Sequence, residues 1–179
     1  MVIKILLALA AVVLVLVVII ATRPTEFRVE RSATISAPAP VVFAQVNDFH
    51  KWEAWSPYVK RDPAMKRSVE GPPAGVGAIY TWSGNHEVGE GRTTIVESRP
   101  GKLIRIKLEF VRPFAATSTA AFTFKPDGER TAVTWSLDGR NSFPAKAMGL
   151  VMSMDKMIGD DLEKGLAQMK SIAETAPRP

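Results

Sequence analysis

From Pro144 to Ala173 the chain reads as one long amphipathic helix, and such a helix demands a broad apolar partner. Pro144 suits a first helical turn, where its missing N–H would have no partner anyway. Good helix formers follow in quantity: Ala, Leu, Met, Lys and Glu. At 1.5 Å per residue the stretch would reach roughly 43 Å. Met148, Val151, Ile158, Leu162, Leu166, Met169 and Ala173 fall on one stripe. Ser153, Lys156, Asp160, Asp161, Glu163, Lys164 and Lys170 are read as helix surface. Two features break the stripe. Asp155 lies inside it, and Gly159 and Gly165 remove bulk on or beside it. Missing side chains, flexible methionines and one carboxylate suit a helix that roofs a cavity, so Met148, Asp155 and Gly159 are candidate cavity residues. A carboxylate facing such a cavity would titrate high unless a cation, Arg31 for instance, pairs with it.

The preceding residues supply the partner. Phe27 to Ala37 alternates, with Phe27, Val29, Arg31, Ala33 and Ile35 on one face. Ser36-Ala-Pro-Ala-Pro stops that strand and opens a helix over Pro40 to Asn47; a helical turn over Asp48 to Ser56 follows and ends at Pro57. Strands are then expected over Met65–Glu70, Ala78–Ser83, Gly89–Ser98, Lys102–Val111, Ala116–Lys125 and Arg130–Leu137. In the clearest of them Ile104, Ile106, Leu108 and Phe110 face inward. No strand–helix–strand crossover separates these strands, so the sheet is antiparallel and a doubly wound parallel fold is excluded.

The order of elements resembles the helix-grip fold of START lipid-transfer domains, Bet v 1-like allergens, polyketide cyclases and coenzyme Q-binding proteins. The stretches Val29 to Phe43 (VERSATISAPAPVVF) and Asn47 to Tyr58 (NDFHKWEAWSPY) carry the likeness, which is nearest to the bacterial polyketide cyclase-like branch. The resemblance implies an α+β domain in which an antiparallel sheet of about seven strands wraps around the long C-terminal helix, with two short helices after the first strand. It also implies a cavity between sheet and helix. Tyr80, Trp82, Phe110, Phe122 and Trp135 are the inward aromatics expected to line it, with Trp52, Trp55 and Met152 nearer its mouth. Aromatics together with a methionine-bearing helix suit an apolar ligand. The fold serves carriers, cyclases, hydrolases and chaperone regulators, so it does not choose among them. A binding or carrier module for a lipid or other hydrophobic small molecule is the first reading, a polyketide cyclase or dehydratase the second, and a protein-interaction domain the third.

Ahead of this domain, Ile5 to Ala21 is an unbroken apolar run between Lys4 and Arg23. Its helix reaches about 26 Å, the lower limit for crossing a bilayer. A cleaved signal peptide is the rival reading, with Ala21 before the cut, but Ile19 suits the −3 position poorly. An uncleaved single-pass anchor over residues 1–22 is expected, then a linker over 23–26, the domain over 27–174 and a tail over 175–179. Positive charges nearly balance across the run, so they leave orientation open. The chain has no cysteine, which excludes disulfides and thiolate chemistry and favours an extracytoplasmic domain.

A net charge of +5, with no basic run interleaved with aromatics, argues against nucleic acid as a partner. A monomer at a membrane is expected. His50 and His86, the two histidines, lack neighbours at metal-ligand spacing, so neither a metal nor another cofactor is expected. Gly71 to Gly77 lacks the Lys-Ser/Thr of a phosphate loop. His86 and Glu87 beside Glu90 are either a small acid–base group or a solvated turn.

Overall fold

A computed structural model describes residues 1–175. Helix α1, Val2–Thr22, stands apart from the rest: it has no buried residue, and of its side chains Ile20 alone is partly covered. Apart from Lys4 and Thr22 its residues are apolar, and the helix is long enough to cross a bilayer. After Pro24 the domain begins with β1, Glu26–Ile35, and α2, Ala39–Asn47. A 3-10 turn at Phe49–Lys51 leads into two short helices, α3 at Trp52–Trp55 and α4 at Pro57–Arg61. Six strands follow: β2 Lys66–Glu70, β3 Ile79–Ser83, β4 Glu90–Arg99, β5 Leu103–Arg112, β6 Ala116–Asp127 and β7 Arg130–Arg140. All seven strands form one antiparallel sheet in the order β1-β7-β6-β5-β4-β3-β2. Six strands in meander, β2 to β7, and a first strand that closes onto the last give the sheet its wrap. This is the helix-grip architecture.

The long helix is shorter than its sequence suggests. Two helices occupy the stretch, α5 at Phe143–Met148 and α6 at Met154–Thr175. The break has a local cause. Gly149 closes α5, its N–H donating to Ala145 O. Ser153 then caps a new helix, its Oγ accepting from Lys156 N at 3.2 Å. A serine oxygen that takes an N-terminal backbone donor restarts the helix rather than continuing it. Helix α6 runs to Thr175; residues 176–179 of the expected tail lie outside the described chain.

The two ends of the domain are filled differently. At the end where β1 runs into α2, Ile35, Val42, Phe43, Ile104, Phe124 and Val133 are buried. Phe43 meets Phe124 edge-on at 5.3 Å, so this end is solid. At the other end, where β1 begins and β7 stops, the wall of aromatics encloses a hollow. The outer face of the sheet is ionic: Arg92 and Lys107 flank Glu109, and Arg99 and Arg105 flank Glu97. Lys107 and Arg92 hold the Glu109 carboxyl below its usual range, Lys107 contributing most.

Candidate functional site

The hollow is a cavity of about 170 Å³ between the inner face of the sheet, α3, α4 and α6. Strand alternation builds its walls. On β3, Tyr80 and Trp82 point the same way because Thr81 between them points the other. Trp82 lies opposite Gly91 of β4, where a Cβ would come within 2.7 Å of the indole. The glycine makes space for the ring, which meets Phe110 edge-on at 5.7 Å. Phe122 and Trp135 are paired across β6 and β7 and stack at 4.7 Å. Trp52 and Trp55 enter from α3, and Leu162 closes the roof from α6.

Hydrogen bonds pin three of the four indoles by their edges. Trp52 Nε1 donates to Val46 O at 3.0 Å, Trp55 Nε1 to Gln45 O at 2.9 Å and Trp82 Nε1 to Val88 O at 3.0 Å. Rings held this way present fixed apolar surfaces. Trp135 differs. Its Nε1 is buried, and among the described residues it finds no hydrogen-bond partner, although the residue is only 6% exposed. A buried donor without a partner costs free energy, about 1–3 kcal/mol, until an acceptor reaches it.

Seven of the sequence-derived candidates line this cavity: Trp52, Trp55, Tyr80, Trp82, Phe110, Phe122 and Trp135. Trp55 is not at a mouth, however; it is fully buried, ringed by Trp52, Phe122 and Trp135. Four candidates lie elsewhere. Met148 and Met152 belong to the exposed surface around α5 and the turn after it. Asp155 is exposed and takes Arg31 of β1, Nη2 to Oδ2 at 3.0 Å. Gly159 faces that same guanidinium, and a Cβ there would sit 2.0 Å from Arg31 Nη2. The volume left open by Gly159 is therefore filled by Arg31, which also donates from Nε to Glu163 Oε1 at 2.7 Å. Arg31 holds the Asp155 carboxyl below its usual range, and the two carboxylates together hold the guanidinium higher still. The exception foreseen for Asp155, pairing with Arg31, is the arrangement present.

Sequence reasoning missed the polar part of the site. Tyr58 of α4 lines the cavity. Arg61 lies over its ring, 5.6 Å from the centroid, and its Nη2 bonds Asp161 of α6. Asp161, read as helix surface, is only 5% exposed. Burial raises its carboxyl above the usual range, and Arg61 and Lys164 offset only part of that. Burial likewise pushes the Tyr58 hydroxyl up to about 12, helped by the charge of Asp161 and opposed by Arg61. The signal for Asp161 was its spacing: it is one residue from Leu162 and four from Gly165, both buried. His86 and Glu87 are exposed on the β3–β4 turn, where the Glu87 side chain also edges the cavity. Among the described residues no three His, Asp or Glu side chains are grouped to hold a metal ion.

Comparison with known proteins follows this geometry. A family described as polyketide cyclase / dehydrase and lipid transport matches residues 26–174. The chain belongs to that family. No curated protein matches the chain. Among solved structures, the Zhui aromatase/cyclase from Streptomyces sp. R1128 aligns with a TM-score of 0.61 at 16% identity, over 83% of this chain and 94% of that one. Protein CV1439 from Chromobacterium violaceum aligns at 0.60 and 16%, over 86% and 100%. Ginseng major latex-like protein 151 from Panax ginseng aligns at 0.57 and 13%, over 84% and 99%. At such identities these structures share the fold with this family member and nothing finer.

Proposed function

We propose that the domain binds a small hydrophobic molecule in the aromatic chamber, and that α1 holds the chamber at a membrane. One observation carries the reading: all four tryptophans of the chain line a single cavity. A tight core spreads its large rings to fill space; this one gathers them around a void. An apolar cavity of about 150 Å³ stays dry and takes up benzene. The chamber of about 170 Å³ therefore suits one or two fused rings, or one prenyl-sized end of a longer lipid. Trp135 Nε1 supports a ligand that carries an acceptor, a carbonyl or hydroxyl oxygen. In support of tethering, the linker between α1 and β1 is only Arg23 to Thr25.

The four tryptophans also provide the assay. Titrating the chain in lipid nanodiscs with 2-naphthol is expected to change indole emission saturably. Ala120→Leu fills the chamber from β6 and is expected to abolish that response while the thermal transition stays in place or rises. A response equal in parent and variant, or none in the parent, overturns the reading.

A second reading, a cyclase or dehydratase, draws on Tyr58. Its hydroxyl stays protonated well past neutral pH and belongs to the chamber wall, beside Arg61 and Asp161. A protonated phenol suits a proton donor to an enolate or a leaving hydroxyl. The polyketide cyclase / dehydrase and lipid transport family, and the Zhui aromatase/cyclase, agree with this chemistry. Tyr58→Phe separates the two readings. A binding module keeps its affinity for 2-naphthol, whereas an enzyme loses cyclisation of a short poly-β-ketone thioester while still binding it.

A further inference from the structure

Among the described residues that follow α1, ten large apolar side chains are exposed, and eight of them lie toward the end of the domain where α1 departs. Val111 is the penultimate residue of β5 and Phe114 stands on the β5–β6 turn, Phe114 being 62% exposed. Phe143 begins α5, Val151 and Met152 lie in the turn after it, and Met157 is in the first turn of α6; Val151 is 83% exposed. Strand register places them together. Glu26 opposite Arg140, Gly139 opposite Ser118, and Ala116 opposite Phe110 define one end of the sheet, and all these turns spring from it. The two remaining exposed residues, Val76 and Val96, lie away from that end.

The last turn of α1 is tied to the same surface. It touches the domain at α5, where Lys146 Nζ reaches Ala21 O at 3.5 Å and Thr25 Oγ1 at 2.9 Å. Between α5 and the start of β1 runs an open cleft of about 510 Å³ that includes Arg23, Lys146 and Met152. The chamber leans toward this end too, since Trp82, Phe110 and Leu137 lie in the terminal halves of their strands. So many exposed apolar side chains at one end are unusual on a soluble monomer. Apolar tips with lysine and arginine beside them match the boundary between acyl chains and headgroups.

We infer that this end of the domain, the β5–β6 turn with α5 and the turn after it, rests in the headgroup layer of the bilayer that α1 crosses, with the chamber opening toward the lipid. The inference rests on reading α1 as a membrane anchor. It identifies the occupant of the surface as lipid because the helix that enters the lipid starts from the surface itself. Its consequence is that an apolar ligand exchanges between chamber and bilayer without passing through water.

The absence of cysteine makes the test direct. The full chain, carrying one environment-sensitive fluorophore on Val151→Cys, Leu14→Cys or Val76→Cys, is reconstituted in phosphatidylcholine vesicles that hold spin-labelled lipids. Residues docked as described lie about 5–10 Å into the interface. The Val151 label is then quenched by shallow spin labels, the Leu14 label by deep ones, and the Val76 label by neither. Quenching at Leu14 without quenching at Val151 leaves the anchor standing and overturns the docking. Quenching at neither position removes the anchor reading and the docking with it. Disulfide-linked dimers of unlabelled Val151→Cys in the vesicles would assign the surface to a second copy of the chain and overturn the inference. As a further check, Val151→Asp with Met152→Asp is expected to abolish shallow quenching of a label on Phe114→Cys; persistent quenching there overturns it as well.

Discussion

Helix α6 makes two unlike contacts with the domain, each built from a glycine, an aspartate and an arginine. Toward β1, Gly159 admits Arg31, which bridges Asp155 and Glu163 in an exposed setting. Toward the chamber, Gly165 admits Trp135, where a Cβ would lie 2.6 Å from the indole and 3.3 Å from Pro57 Cδ. Asp161, buried beside it on the helix, takes Arg61. Gly165 follows Gly159, and Asp161 follows Asp155, by an equal step of six residues along the helix, which turns the side chain by about 120° and aims it at a different wall. The difference lies in what fills the space. Beside Gly159 it is the flexible end of an arginine in contact with water; beside Gly165 it is a rigid ring in a closed core. Like residues on one helix therefore carry different costs when changed.

The largest expected effect is at Gly165. Gly165→Ala pushes the new methyl into Trp135 and costs about 1–3 kcal/mol of overpacking. That exceeds the gain in helix propensity of about 1 kcal/mol. The thermal transition should fall and the naphthol response of the tryptophans should weaken. A higher transition with an intact response would erase the contrast between the two contacts.

Next comes Asp161→Ala, which strips the partner from a partly covered Arg61. A loss of about 1–3 kcal/mol is expected in urea unfolding. Asp161→Asn keeps an acceptor for Arg61 and should lose less. Equal losses for both variants would mean that volume, not the bond, is what matters there.

Gly159→Ala is expected to be mild. The new methyl displaces a guanidinium whose ion pairs are exposed and weak. The helix-propensity gain of about 1 kcal/mol works against that loss, so the net change should stay within about 1 kcal/mol of zero. Naphthol binding should be unchanged. A weakened response would return Gly159 to the chamber.

The smallest effect is a difference of slope with pH. Asp155 titrates lower in the fold than its ordinary 3.8, so its contribution is present above 3.8 and disappears as pH falls through the folded value. Asp161 titrates higher than 3.8, so its ionised form is penalised in the fold, and that penalty is relieved as pH falls through its folded value. Across about pH 3 to 7, Asp155→Asn should flatten the acid loss of stability seen in urea titrations, while Asp161→Asn should steepen it. Slopes of the same sign for both would break the comparison.

Much of this architecture was legible in the chain. Alternation set the inward faces of β1 and β5 to β7, and seven of the eight aromatics around the chamber, all but Tyr58, came from positions that point inward by period or carry the family-like tryptophan motif. Alternation works because a strand has two faces and a one-step error inverts both. The long helix was harder. Its apolar period carries on from Met148 to Ala173 across the break between α5 and α6, and only the Gly149 and Ser153 caps mark that break. Caps are local bonds that compete with a continuing helix, and periodicity is silent about which wins.

The chain on its own determined the class of the fold, the apolar N-terminal helix and the set of rings available to a chamber, because each follows from periods and composition along a single strand or helix. It could not decide which gaps along α6 stay empty. Gly159 and Gly165 look alike in sequence; Arg31 lies 128 residues before the one and Trp135 only 30 before the other, and sheet register alone brings each into place. The same holds for Asp155 and Asp161. A carboxylate's state depends on the cation and the water that reach it, and both are settled only when β1, α4 and α6 close on one another.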